Sequence, residues 1–373
     1  TYVLNRAGDG LDYWVFATVT AVEDGYVSVR TKPLDQDAFA TVREIYQRVR
    51  AIERECIAQG LPRRKVAERG AQALLAELET LGYGSLSAFG RAALPQEAQL
   101  LLRAGVRVPV REESDDAADR ILELARTIEH DSDTLVGQVG GYRELLAGLG
   151  GWMEQSPAII RRARRTGELV AMFDSQDAES SVPDVSERVS ERTARAVEQL
   201  GGLTSTVGAL VSAVAQLSFR ASLMRLHTLV LGIYAAAVVD GTEDDVPRAM
   251  TELSHALAED LADIGPVCNA IVTRSDELDE LMRSVVSDLD RTRRPFDRWL
   301  RALQDEHASL REGVEGDVLA LLGEAERLSE AGFPEMSALA TLAARCRGLD
   351  FSYNSDAMQG TMAAVADAIG DLV

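Results

Sequence analysis

Residues 200–239 read LGGLTSTVGALVSAVAQLSFRASLMRLHTLVLGIYAAAVV. Within them Leu200, Leu203, Val207, Leu210, Val214, Leu217, Ala221, Met224, Thr228, Leu231, Ala235 and Val238 follow one another in alternating steps of three and four. That spacing puts every member on one stripe of an α-helix and, sustained over several heptads, makes a coiled-coil seam. Asp240-Gly241 supply a stop, Thr242 an N-cap, Glu243, Asp244 and Asp245 an acidic first turn, and Pro247 a helix start. A second seam follows through Met250, Leu253, Leu257, Asp260, Ile264, Val267, Ile271, Arg274, Leu278, Leu281 and Val285. The pattern predicts two helices of about 50 residues, each about 75 Å long at the α-helical rise, folded back as an antiparallel hairpin with its tip near 241.

Seams that each face one partner helix leave Val211, Ile233, Val272 and Met282 without cover, so a homodimeric four-helix bundle is expected. Asp260 and Arg274 inside the second seam are expected to set register by pairing with each other or across the dimer. Gly265-Pro266 is expected to kink the helix, because proline removes a backbone donor.

Outward from the hairpin the text stays helical almost to both ends. Helices are predicted over Asp35–Gly60, Pro62–Leu81 and Ser85–Ala104, the last interrupted at Pro95. Gly105–Ser114, with Pro109 and Glu112-Glu113, reads as a linker, and a further helix over Asp115–Gly150 is weakened at Gly140-Gly141 and Gly150-Gly151. Asp174–Pro183 reads as a loop. Helices over Gln304–Ala331, Pro334–Arg347 and Ser355–Leu372 complete the chain and are expected to bury Leu319, Leu322, Leu328, Leu339 and Leu342. The divisions are therefore 1–33, a helical connector 34–110, a helical segment 111–180, the hairpin 181–300 and C-terminal helices 301–373.

The start is different. Tyr13–Pro33, YWVFATVTAVEDGYVSVRTKP, holds two runs with β character, Tyr13–Val22 and Tyr26–Lys32, around the turn Glu23-Asp24-Gly25. With Asn5-Arg6 and Gly8-Asp9-Gly10 before it, this hairpin resembles the closing strands of the PAS domain of aerotaxis-type energy sensors. The match covers only that domain's second half, and the segments completing it are expected to have been cut away or lost. The resemblance implies a flavin (FAD) cavity in a complete domain, with Trp14 near the ring. Without the other half no pocket closes, so no cofactor is expected in this chain; the plain reading makes Trp14 a core aromatic of a half-buried strand.

A long hairpin behind such a domain resembles the cytoplasmic signalling domain of methyl-accepting chemotaxis receptors. Their tip text lies without a gap on Leu217–Tyr234, matching at Ser218, Phe219, Leu223 and Leu226. The polar contact positions differ, with Arg220, Ala221, His227 and Leu231 standing where those tips carry Gln, Thr, Asn and Glu. The resemblance implies a cytoplasmic bacterial signal-transduction protein with chemotaxis-type or other signalling partners. Its partner-binding tip would be formed by Arg220, Arg225, His227, Leu231, Tyr234 and Asp240, with Arg225, Tyr234 and Asp240 exposed. The rival reading is a structural coiled-coil scaffold that organises partners without sensing.

Composition bounds these readings. With 39 basic against 60 acidic residues the net charge is −21, which repels nucleic acid and anionic membranes. Leu226–Val239 is too short an apolar run to cross a bilayer. Cys56, Cys268 and Cys346 stand far apart, as reduced thiols do. Ser254–Leu261 superficially resembles the phosphoacceptor box of sensor kinases around His255, but no ATP-binding boxes follow, and no catalytic or metal-binding set is expected. The basic cluster Arg161, Arg162, Arg164 and Arg165 is either an acidic partner's dock or a solvated face paired with neighbouring carboxylates.

Overall fold

The computed structural model describes residues 1–22, 25–112, 116–176, 183–242, 246–308, 316–349 and 353–372. They form a small antiparallel sheet and a mainly helical remainder: β1 (Tyr2–Arg6), β2 (Asp12–Val22), β3 (Gly25–Thr31), α1 (Gln36–Ala58), α2 (Arg63–Thr80), α3 (Leu86–Arg103), α4 (Ala117–Met153), α5 (Ser156–Gln176), α6 (Pro183–Val239), α7 (Pro247–Ala308), α8 (Gly316–Ala331), α9 (Met336–Arg347) and α10 (Ser355–Gly370). The expected turn at Glu23-Asp24, the acidic first turn Glu243–Asp245 and the end of the 105–114 linker lie outside the described residues.

Two compact units are present, one made of Thr1–Val139, Ala215–Cys268 and Ser352–Val373, the other of Gly140–Val214 and Asn269–Phe351. In the first unit the sheet is a meander, β1-β2-β3, with Tyr2 opposite Phe16 and Thr20 opposite Val27. Strand β1 was not expected; Asn5-Arg6 belong to it, and its ladder to β2 makes the hairpin a three-stranded sheet. Alternation then places Tyr2, Trp14 and Phe16 on one face, where Tyr2 meets Phe39 and Phe89 and Trp14 meets Phe39 and Tyr46 edge-on.

Caps set the helix starts. Asp35 and Ser85 accept from the N–H groups of Ala38 and Ala88, three residues on. Glu97, fully buried on α3, ties sheet to helix: it accepts from the Tyr2 hydroxyl at 2.8 Å and from the N–H groups of Leu34 and Asp35. Helix α3 runs through Pro95 without the expected interruption.

In the second unit α4 runs through both glycine pairs. Gly141 and Gly148 are close-approach positions there: the side chains of Leu349 and Leu342 stand 2.8 and 2.9 Å from where a Cβ would be. Helix α5 reaches Gln176, past the start of the expected loop. Phe173, Phe296 and Trp299 anchor a core with Leu169, Val189 and Leu303, Trp299 stacking on Phe296. Leu322 and Leu339 are buried as expected, but Leu319 is exposed.

Helices α6 and α7 contribute to both units and stop and start where the seams predict, around Gly241 at φ +65°. Seam residues from Leu200 to Ala235 are buried. In the first unit residues 220 and 227 meet 260, and in the second Gln199 meets Ser284, the order of antiparallel neighbours. The second seam departs from the reading at its middle. Arg274 is exposed and paired with Glu277, Ser275 takes the buried position, and Met282 is fully buried within the chain. Val211, Ile233 and Val272 are exposed at 47%, 45% and 41%. Helix α7 continues through Gly265-Pro266.

Candidate functional site

The polar residues of the first unit concentrate on one stretch of α6. From Ala221 to Leu229 nine consecutive residues are buried, so this helix is covered on every side and each polar side chain needs an internal partner. Arg225, His227 and Leu231, expected at a partner-binding tip, are at or below 1% exposure. The correction has a physical cause: strand β2, segment 105–111, α4 and α7 all supply groups to this stretch, leaving it no outer face.

His227 sits between a carboxylate and a hydroxyl. Its Nδ1 lies 2.8 Å from Asp260 Oδ2 and its Nε2 3.4 Å from Thr20 Oγ1 of β2. Because an ionised carboxylate only accepts, Nδ1 carries the proton. Asp260 is fully buried as well, and Arg220, half-buried, comes within 3.5 Å of its Oδ1 while pairing with Asp263. Asp260 thus pairs with His227 and Arg220 rather than with Arg274. The order hydroxyl, imidazole, carboxylate is that of an acyl-transfer relay, but the imidazole is fully buried. Its geometry is that of a link between sheet and helices.

Two residues earlier Arg225 satisfies a second network. Its Nε lies 3.1 Å from Asp133 Oδ1, Nη2 lies 3.6 Å from Glu129 Oε1, and Nη1 and Nη2 donate to the carbonyls of Ala98 and Val106 at 3.5 and 3.2 Å. Glu129 in turn accepts from the Val108 N–H, Arg107 pairs with Asp133, and Arg111 grips Asp240 with two bonds of 2.9 and 2.7 Å. The segment read as a linker is therefore strapped along α6. Gly232 permits this: a Cβ there would stand 2.6 Å from Val108 Cγ1. Of the expected tip residues, Asp240 is exposed and Tyr234 half-buried; the Arg111 guanidinium holds the Asp240 carboxyl below its ordinary range.

Tyr234 lines a cleft of about 280 Å³ with Val230, with Ala249, Glu252 and Leu253 of α7, and with Tyr26–Arg30 of β3. Trp14 is away from it, occupied by Phe39 and Tyr46. His255 is exposed on α7, as is Glu259 one turn on. In the second unit two members of the arginine cluster are paired with carboxylates, Arg162 with Glu335 and Arg165 with Glu324 and Glu168. Burial pushes the Cys268 and Cys346 thiols up to about 12 and about 11, the carboxylates of Asp279 and Asp276 adding to the second. Among the described residues no group of three His, Cys, Asp or Glu is arranged to hold a metal.

Sequence reasoning found His227 and Arg225 but gave them a surface, and it missed Glu97, Glu129 and Thr20. Polar residues interrupting the apolar text of 217–231 were the available signal for a buried network. One helix, within Val185–Val239, is long and apolar enough to cross a membrane by length and composition, and 67% of that window is buried inside the protein. Comparison with known proteins yields no matching family model, no matching curated protein and no matching solved structure.

Proposed function

We propose that the chain is a non-enzymatic component of bacterial sensory signal transduction, cytoplasmic and homodimeric, in which the N-terminal sheet acts on the helix pair α6–α7. The observation that carries the reading is the contact of β2 with the buried polar chain Thr20, His227, Asp260 and Arg220. A displacement of the sheet has to be answered there, because a buried imidazole or carboxylate that loses its partner carries a desolvation penalty. The chemoreceptor resemblance enters in altered form. With Arg225, His227 and Leu231 buried, kinase contacts of the usual tip type have no surface there, and partners would use other faces. Exposed Val211 and Val272 are the candidates for the expected coiled-coil four-helix dimer.

The second reading, a scaffold without a sensing role, is favoured by Trp14, whose ring is taken up by Phe39 and Tyr46. Hydrogen exchange on Thr20→Val separates the two. A transmitting sheet raises amide exchange along residues 220–231 of α6 and 257–264 of α7. Change confined to β2 and β3 would remove the signalling reading and leave the scaffold.

A further inference from the structure

Five consecutive residues of β3, Tyr26 to Arg30, line the 280 Å³ cleft. Successive residues of a strand point to opposite faces, and here Val27 and Val29 are buried while Tyr26, Ser28 and Arg30 are exposed. A cavity touching both sets must run along the strand's edge. The β2 side is occupied by the ladder from Phe16↔Thr31 to Val22↔Gly25, so the cleft lies on the free side. There, among the described residues, no backbone hydrogen bond joins β3 to another element. A free edge presents alternate N–H and C=O groups, which one thing satisfies in series, another extended backbone.

The far wall says what kind. Val230 and Tyr234 of α6 and Ala249, Glu252 and Leu253 of α7 face β3 across the cleft, so a strand laid beside β3 would rest on α7. A volume of about 280 Å³ is below the range usual for drug-sized ligands and cofactors, and is right for one or two aliphatic side chains.

We propose that this edge is a strand-addition site for a single extended segment of a partner protein. Its inward positions carry Val- or Leu-like residues spaced two apart, lying over Ala249 and Leu253, and its outward position opposite Arg30 carries a carboxylate, as that exposed cation favours. The proposal stands on the cleft alone and does not need the signalling reading.

The test uses the full chain and a labelled hexapeptide, Thr-Val-Glu-Val-Thr-Val, followed by fluorescence anisotropy. Two analogues carry N-methyl groups on alternate residues in opposite phase, so each blocks one edge of the peptide. Strand addition predicts that one phase binds like the parent and the other at least 10-fold more weakly. Ala249→Phe, which fills the cleft from the α7 side, should also weaken the parent at least 10-fold with an unchanged far-UV spectrum. Equal binding by both phases would show apolar contact without strand pairing and overturn the proposal. So would absence of saturable binding by the parent at millimolar concentration, or full binding by the Ala249→Phe chain.

Discussion

Replacing Arg225 by Met keeps an unbranched stem about as far as Nε and removes every donor. Arg225 is 1% exposed, so its carboxylate partners lose a desolvated cation rather than a screened one. Glu129 is left buried with only the Val108 N–H, and the carbonyls of Ala98 and Val106 lose a donor. Asp133 keeps Arg107. Breaking a buried pair by removing one partner costs about 3–5 kcal/mol, and the surviving Arg107 contact and water entering beside segment 105–111 place this case near about 3 kcal/mol. For a unit of roughly 200 residues that is a fall in Tm of about 6–12 °C. Trp14 is the tryptophan of the first unit and Trp152 and Trp299 belong to the second. A Trp152→Phe, Trp299→Phe background therefore lets urea titration by fluorescence follow the first unit. Adding Glu129→Gln to Arg225→Met should restore at least about 1 kcal/mol, because the orphaned charge is then gone. A cost below about 1 kcal/mol for Arg225→Met, or a double variant no more stable than the single, would refute the argument that this pair is a desolvated one.

Other expectations follow from the same geometry. Gly232→Ala should destabilise by about 1–3 kcal/mol, since the new Cβ must displace Val108. Gly208→Ala, also on α6 but with open space around it, should stabilise by about 0.5–1 kcal/mol; thermal melts of the pair check both. At pH 8 the raised thiols of Cys268 and Cys346 are thiolate at about one part in ten thousand and one in a thousand. Ellman's reagent should accordingly label neither until denaturant is added, and the sign is that reactivity grows as pH rises toward those values. Arg111→Ala should return the Asp240 carboxyl upward to the ordinary range, read by carboxyl-carbon NMR. In the parent chain the Arg111–Asp240 tie is present above that range and is lost as pH falls through the depressed value.

The helical frame was legible because heptad spacing is a property of one helix and survives any arrangement of its neighbours. Gly241, Pro247, Asp35 and Ser85 likewise act locally, and the structure places boundaries beside each. What failed were judgements that depend on what lies across from a residue. Arg274 yielded its seam position to Ser275, and Met282 was covered inside the chain. Gly140-Gly141 looked like a breaker, yet Gly141 admits Leu349. Strand β1 was too short and too polar to stand out, and only its partner β2 makes it a strand. The site was half legible. Arg220, His227 and Leu231 were singled out at an expected surface, whereas His227 and Leu231 are buried and Arg220 is half-buried.

The first unit is assembled from three stretches of chain, the last of them containing α10. Its buried piece, Ala221–Leu229, takes polar partners both from stretches that precede it and from α7, which follows it. On a ribosome Arg225 emerges after its partners Ala98, Val106, Glu129 and Asp133, but His227 emerges 33 positions before Asp260, which at 5–20 residues per second is about 2–7 s. Throughout that interval an apolar helix carrying a histidine waits for a carboxylate still being synthesised. The burial that makes this segment the centre of the mature protein makes it, for those seconds, the part most in need of a chaperone.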